Sequence, residues 1–373
     1  MRELNAILEA WRESPQASGV LATVVHVEGS AYRRPGARML IRSDGSRVGT
    51  ISGGCLEGDV ARKAGWWTAG GDPVLRVYDT MSDDDAVWEF GLGCRGRIHV
   101  LLEPVATPGA RALLEHLSNS QEARQETVVA TVVRAASDST YRTGEHLFEF
   151  PLEIAAEARE TLAGKCSRLL HLPYADIFLE YFGPTQRLVI FGAGHDAIPL
   201  VTVAAMLGWS VTVADVRSGY AKPERFPGAG CVAVLPPSGD ASSIAIDHDT
   251  AVVFMTHNLG LDIRLLPQVM ALRPRYFGLL GPWKRTELLF EEAGLAPHGA
   301  NLHAPIGLDL GGDSAEAIAI AIVAEIQATL AGRTGGSMRW RNDPIHSPVY
   351  EIGESGALAG GSIAAATCEV MNG

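Results

Sequence analysis

Arg187-Leu-Val-Ile-Phe-Gly192-Ala-Gly194-His-Asp-Ala197 is an apolar run of strand length that passes directly into a G-x-G-x-x-A turn. In a dinucleotide-binding βαβ unit the first glycine permits the tight turn and the second lets backbone approach a phosphate. The small third residue lets helix and strand pack closely. A phosphate then sits on the N-terminus of the following helix, where free N–H groups and the dipole favour an anion. Val211-Thr-Val-Ala-Asp215 ends a second strand on an acid, near the spacing of a ribose-hydroxyl ligand. Asp215 favours a free 2′-hydroxyl, hence NAD over NADP, and Arg217 weakens that preference. The turn also has a purely structural reading, in which it folds without a ligand.

Downstream the alternation continues, with strands at 210–214, 231–235, 251–255 and 276–280 and helices at 195–207, 261–272 and 283–293. Such alternation implies a Rossmann-type parallel sheet covered by helices. The last helix is expected from Asp313, with Glu316 completing a capping box, to about Leu330. Gly183-Pro184 is a plausible upstream boundary, so the Rossmann-type domain spans 184–331. The Gly- and Ser-rich segment 332–373 reads as a loosely held tail.

Residues 1–183 read as a mixed α+β domain. A helix over 2–12 precedes a β-branched strand at 19–27, and Ser43-Asp44-Gly45-Ser46 joins 37–42 to 47–51 as a hairpin. Then come Ser52-Gly53-Gly54-Cys55 and a helix over about 56–67. Further strands are expected at 74–78, 97–103, 127–133 and 177–181, with a helix at 108–119. The overall fold class is therefore α/β.

The chain has 373 residues, and one core stops growing below that size, which fits two domains. A formal charge of −12 argues against nucleic acid as a partner. No apolar run approaches a membrane span and no leader precedes Leu4, so a cytoplasmic location is expected. The five cysteines form no CxxC pair, so they matter, if at all, as thiols.

Cys55 is the most suggestive of them. Two glycines precede it and a helix follows, a placement that lowers a thiol pKa through the helix dipole. Cys94 lies in a second glycine-rich turn, Gly91-Leu-Gly-Cys-Arg-Gly96, whereas Cys231 falls inside an apolar strand like a core residue. Small buried apolar roles remain open for Cys55 and Cys94 as well. Arg33 and Arg34 are candidate cations near the Cys55 turn, or simply a solvated loop.

Gly29-Ser30, Pro35-Gly36-Ala37-Arg38-Met39 and Ser52-Gly53-Gly54-Cys55-Leu-Glu57 together resemble the N-terminal domain of the XdhC/CoxI family, the xanthine dehydrogenase accessory factors. Tyr78-Asp79-Thr80 and Gly91-Leu-Gly-Cys94 are similar too. In the second half the resemblance runs through Val189 to His195, Thr256-His257, Asp262, Gly278-Leu-Leu-Gly281 and Pro305-Ile-Gly-Leu-Asp309. It implies a chaperone that binds molybdenum cofactor, supports its sulfuration by a cysteine desulfurase and delivers it to a xanthine dehydrogenase-like molybdenum hydroxylase. A homodimer is the expected assembly. Cys55 would touch the molybdenum or its sulfur, with Cys94 second and His257 as a further candidate catalytic residue. Gly53, Gly54, Gly192, Gly194, His195, Asp215, Lys284 and Arg285 are the candidate cofactor-binding residues.

Three departures stand out. Arg95 replaces a glycine, Asn258-Leu259 replaces Asp-His after Thr256-His257, and Pro282-Trp283 replaces polar or basic residues. The rival reading is an NAD-dependent oxidoreductase with His257 or His195 as proton donor. A component of a molybdenum hydroxylase itself is a third, against which stands the lack of an iron–sulfur cysteine cluster.

Overall fold

A computed structural model of the chain describes residues 2–15, 18–29, 31–79, 96–297, 301–342 and 349–353. These fall into two compact units: Glu3–Pro184 with 349–353, and Thr185 to 342.

The second unit carries a sheet of six strands: β10 (Arg187–Phe191), β11 (Ser210–Asp215), β12 (Cys231–Val234), β13 (Ala251–Phe254), β14 (Tyr276–Leu279) and β15 (Leu302–His303). Their order across the sheet is β12-β11-β10-β13-β14-β15. Every pairing is parallel. Both faces are covered, which is why β10 is apolar throughout rather than alternating. Leu188 and Ile190 pack with Leu200 and Val201 of α5 (Ala197–Met206) and with Ile322 and Ile326 of α8 (Ala315–Leu330). Val189 and Phe191 pack the other way, against Leu265 and Val269 of α6 (Leu259–Leu272) and Phe290 of α7 (Trp283–Glu292). Each such side chain removed from water contributes roughly 1.5–3 kcal/mol.

Two details differ from the sequence reading. Ser314, not Asp313, caps α8, its hydroxyl accepting from the Ala317 N–H. Cys231 is exposed at the start of β12, which lies at the edge of the sheet, and is not a core residue.

The first unit stacks two five-stranded sheets. One is β3-β2-β1-β5-β4, from β1 (Gly19–Gly29), β2 (Arg38–Arg42), β3 (Arg47–Gly49), β4 (Val74–Asp79) and β5 (Gly96–Pro104). The other is β16-β8-β9-β6-β7, from β6 (Thr127–Ala135), β7 (His146–Leu147), β8 (Arg168–Leu172), β9 (Ala175–Phe182) and β16 (Tyr350–Ile352). Val25 and Leu101 of the first meet Val133, Leu169 and Phe178 of the second. The outer faces bury α2 (Glu57–Trp67), through Val60 and Ala64, and α4 (Leu152–Gly164), through Ile154 and Ala158. Helices α1 (Arg2–Glu13) and α3 (Pro108–Ala123) join the remaining core cluster.

Sequence periodicity missed α4, β7, β8, β15 and β16. Only Ile154, Ala158 and Thr161 of α4 are buried, a stripe too narrow to register as an amphipathic pattern. The segment 332–373, read as a tail, returns a strand: β16 runs parallel to β8. Among the described residues no helix is long and apolar enough to cross a membrane.

Candidate functional sites

The Gly53-Gly54-Cys55 turn connects β3 to α2. Gly54 has φ +112°, where a side chain would be strained, and a Cβ on Gly53 would press on the Tyr32 ring at 3.3 Å. Glu57, the first residue of α2, turns back and organises the loop. Its carboxylate accepts from the Ser52 N–H at 2.7 Å, the Ile51 N–H at 3.2 Å and the hydroxyls of Ser52 and Thr50. Ser52 Oγ in turn accepts from the N–H groups of Leu56 (3.0 Å) and Gly54 (3.3 Å). Burial works to raise the Glu57 pKa, but the hydrogen bonds from Ser52 and Thr50 outweigh it and hold it at about 2.

Cys55 is a half-buried free thiol, one residue ahead of the N-cap Leu56. The expected helix dipole is present, yet Glu57 and Asp59 in the first turn answer it with two carboxylates. Of the candidate cations, Arg33 is paired with Glu3. Cys94, with Arg95, lies outside the described residues.

In the other unit the candidate residues gather at the carboxyl end of the parallel sheet. Strand succession reverses at β10, with β11 and β12 added on one side and β13 to β15 on the other, so the loops after β10 and β13 flank a topological switch point. Gly192 has φ +120°, and a Cβ there would lie 2.5 Å from the Met255 carbonyl carbon and 2.8 Å from the Thr256 nitrogen. Its glycine is thus required by the neighbouring strand's backbone, a reason distinct from the tight turn alone. At Gly194 a Cβ would fall on Asp196 Oδ1. Asp196 is the N-cap of α5, and its Oδ2 lies 2.7 Å from His257 Nε2. The place assigned to a phosphate therefore already carries a carboxylate, paired with an exposed His257.

His257 has φ +55°, a left-handed conformation that costs a non-glycine residue and often marks a functional site. Next to it Asn258 caps α6, its side chain accepting from the Leu261 N–H at 3.1 Å. The replacement noted there thus retains a capping oxygen. Thr256 Oγ1 donates to Asp262 Oδ1 (2.6 Å), and Arg285 Nη2 donates to Asp262 Oδ2 (2.5 Å). Burial raises the Asp262 pKa, with Thr256, Arg285 and His257 opposing it only in part.

Asp215 also has a different task from the one its position suggests. Its Oδ2 accepts from the Ala193 N–H at 2.7 Å and from Arg217 Nη2 at 2.6 Å, and its Oδ1 accepts from Arg217 N and Nε, each at 2.9 Å. Burial opposes its charge, but these donors hold the carboxyl below the usual range. Both oxygens are committed to holding the glycine-rich turn, so ribose hydroxyls would have to displace them. Arg225 closes the same turn by donating to the Ala193 carbonyl at 2.7 Å. Of the remaining candidates, His195 and Lys284 are exposed and Arg285 is held by Asp262. Sequence reasoning missed Asp196, Arg225 and Glu57 as organising groups.

We predict that Asp196→Asn binds ADP, as a phosphate probe, about tenfold (~1.4 kcal/mol) more tightly than the unmutated chain. Unchanged affinity in calorimetry of the folded variant would show that no anion seats on the start of α5.

Comparison with known proteins gives the family. A family model described as the XdhC Rossmann domain matches residues 188–326, and one described as the XdhC and CoxI family matches 12–79. A relative from Bacillus subtilis (strain 168), whose name makes it a probable component of xanthine dehydrogenase, is 35% identical over 340 residues, covering 88% of this chain and 98% of the relative. The chain belongs to the XdhC and CoxI family. A relative named the molybdenum cofactor insertion chaperone PaoD, from Escherichia coli (strain K12), is 26% identical over 316 residues, 82% of each chain. A solved structure described as a xanthine dehydrogenase from Bacillus halodurans superposes with a TM-score of 0.72 at 32% identity, over 91% of this chain and 98% of its own. The XdhC Rossmann match covers the sheet from β10 through β15 and α8 as far as Ile326, and the other covers the Gly-Gly-Cys turn and all of α2.

Proposed function

We propose that this member of the XdhC and CoxI family is an accessory protein that binds molybdenum cofactor and supports its sulfuration and insertion into a xanthine dehydrogenase-like molybdenum hydroxylase. The observation that carries the reading is the half-buried free Cys55, on a loop whose backbone is fixed by the ionised Glu57. A cysteine sulfur is a ligand for molybdenum or a contact for its sulfur, and a pre-set loop presents it without an ordering cost on binding. The names borne by the Bacillus subtilis and Escherichia coli relatives point the same way. Bound cofactor would supply the molybdenum centre, while this chain would hold it, shield it from water and present it to the acceptor enzyme. A cysteine desulfurase is the natural sulfur source, and a homodimer the proposed assembly.

The oxidoreductase alternative draws less support. Asp215 is bonded to Arg217 and Ala193, and Asp196 stands where a pyrophosphate would sit. If NAD binds at all, both carboxylates must first be released.

Cys55→Ser should lose most of the molybdenum cofactor retained by the unmutated chain, read as metal content and pterin fluorescence after anaerobic loading. Cys231→Ser, at an exposed position in the other unit, should retain it. Equal retention by the two folded variants would remove Cys55 from the mechanism.

A further inference from the structure

At one end of the two-sheet stack in the first unit, the register of β1 against β5 slips by one residue. Val24 faces Val100, but His26 rather than Val25 faces His99. Without this β-bulge His26 would oppose Ile98, on the face that packs against α2. With it, His26 and Glu28 share a face with His99, and the two imidazole centroids lie 5.0 Å apart. Bulges re-aim side chains in this way beside functional sites.

Donor atoms of His26, Glu28 and His99 all fall within 4.8 Å of one another. Glu28 Oε1 is 2.9 Å from His99 Nε2 and 3.9 Å from His26 Nε2. A tetrahedral ion with bonds near 2.0–2.2 Å needs donors about 3.3 Å apart, so the Glu28–His99 edge would open by about 0.4 Å and the Glu28–His26 edge close by about 0.6 Å.

The surroundings are those of a metal-binding imidazole. A ligating histidine usually offers its other ring nitrogen to a carboxylate. The Nδ1 of His26 lies 3.8 Å from Oε1 of Glu351, on β16. The second oxygen of Glu351 lies 3.6 Å from His171 Nε2, and Asp176 fixes that ring at Nδ1 (2.8 Å). His99 Nδ1 is buried and has no hydrogen-bond partner among the described residues. It is the position left for the ring proton once Nε2 ligates. Arg97 contacts Glu28 Oε2 at 3.3 Å and is itself held by Asp79 at 2.7 Å.

We propose that His26, Glu28 and His99 bind a divalent first-row transition metal ion, with Glu351 orienting His26. Two imidazoles and a carboxylate are a borderline donor set that suits Zn²⁺. Glu28 and Glu351, exposed by 16% and 46% at the side chain, provide the way in to two rings exposed by only 3% and 7%. The site needs neither Cys55 nor molybdenum cofactor, so it stands or falls apart from the function proposed above.

The test uses the full chain, stripped with a chelator and titrated with Zn²⁺ by calorimetry and with Co²⁺ by visible absorption. One equivalent of each should bind, with a Co²⁺ spectrum lacking thiolate charge-transfer bands. Glu28→Gln and His99→Gln should each weaken Zn²⁺ binding by at least about tenfold, and Glu351→Gln by about 10–100-fold. Absence of Zn²⁺ binding, a thiolate-type spectrum, or equal affinity in folded Glu28→Gln and His99→Gln would each overturn the proposal. If neither ligand variant folds, the half-exposed Glu351→Gln decides, and unchanged affinity there overturns it.

Discussion

Gly192→Ala should cripple the second unit while Gly194→Ala leaves it folded. At Gly192 the added methyl meets the Met255 carbonyl and the Thr256 nitrogen, which belong to the chain leaving β13 and cannot move without breaking the sheet's central pairing. The backbone there also holds φ +120°, costly for any residue with a Cβ. Strain and overpacking together should cost about 3 kcal/mol or more. For a unit of this size that lowers the thermal midpoint by roughly 10 °C. At Gly194 the methyl meets only the end of the Asp196 side chain, which can rotate away from His257. Differential scanning calorimetry of both variants checks the contrast, and equal midpoints would refute the proposed role of the β13 backbone.

Glu57→Gln should weaken the first unit at neutral pH and make little difference in acid. The Glu57 pKa is lowered to about 2 from an ordinary 4.5, so its ionised form is favoured by folding. That contribution is fully present above about pH 4.5 and fades as the pH falls through about 2. Allowing for solvent screening, it is worth about 1–2 kcal/mol. The stability gap between the unmutated chain and Glu57→Gln, measured by urea unfolding, should therefore narrow steadily between about pH 5 and pH 2.5. A gap independent of pH would mean that Glu57 acts through shape alone. Because the same carboxylate fixes residues 50–52 and, through Ser52, the N–H groups of Gly54 and Leu56, the variant should also loosen Cys55.

The parallel sheet could be read from the chain because its signals are local. Leu188 to Phe191 is apolar on both faces, and the glycine-rich turn follows without a gap. What escaped the sequence depended on partners distant along the chain. Gly192 is marked in the sequence by its glycine-rich turn, yet the backbone that makes a Cβ intolerable lies more than sixty residues on, after β13. Asp215 stood where a ribose ligand is expected, but the neighbouring Arg217 and the distant Ala193 take both its oxygens. In the sequence Asp196 is only an unspecified position of G-x-G-x-x-A, although it stands at the N-terminus of α5 and holds His257. The Gly-Gly-Cys turn was legible as a motif, and the role of Glu57 beneath it was not. His26 and His99 are ordinary strand residues in the sequence. Only a one-residue slip between β1 and β5, which no local pattern encodes, sets them face to face.

The return of the chain at Tyr350–Ile352 has a bearing on how the gene can be cut. The unit that begins at Thr185 is an insertion, entered and left from the same body, since β16 completes a sheet whose other strands all precede Pro184. A stop codon after residue 331 would spare all six strands of the parallel sheet and all of α8. It would take 332–342 from the second unit, and in the first it would bare the edge of β8 and deprive His26 and His171 of Glu351. Separating the two units by expression thus calls for a splice joining the chain before Thr185 to the residues around Tyr350, not for a truncation.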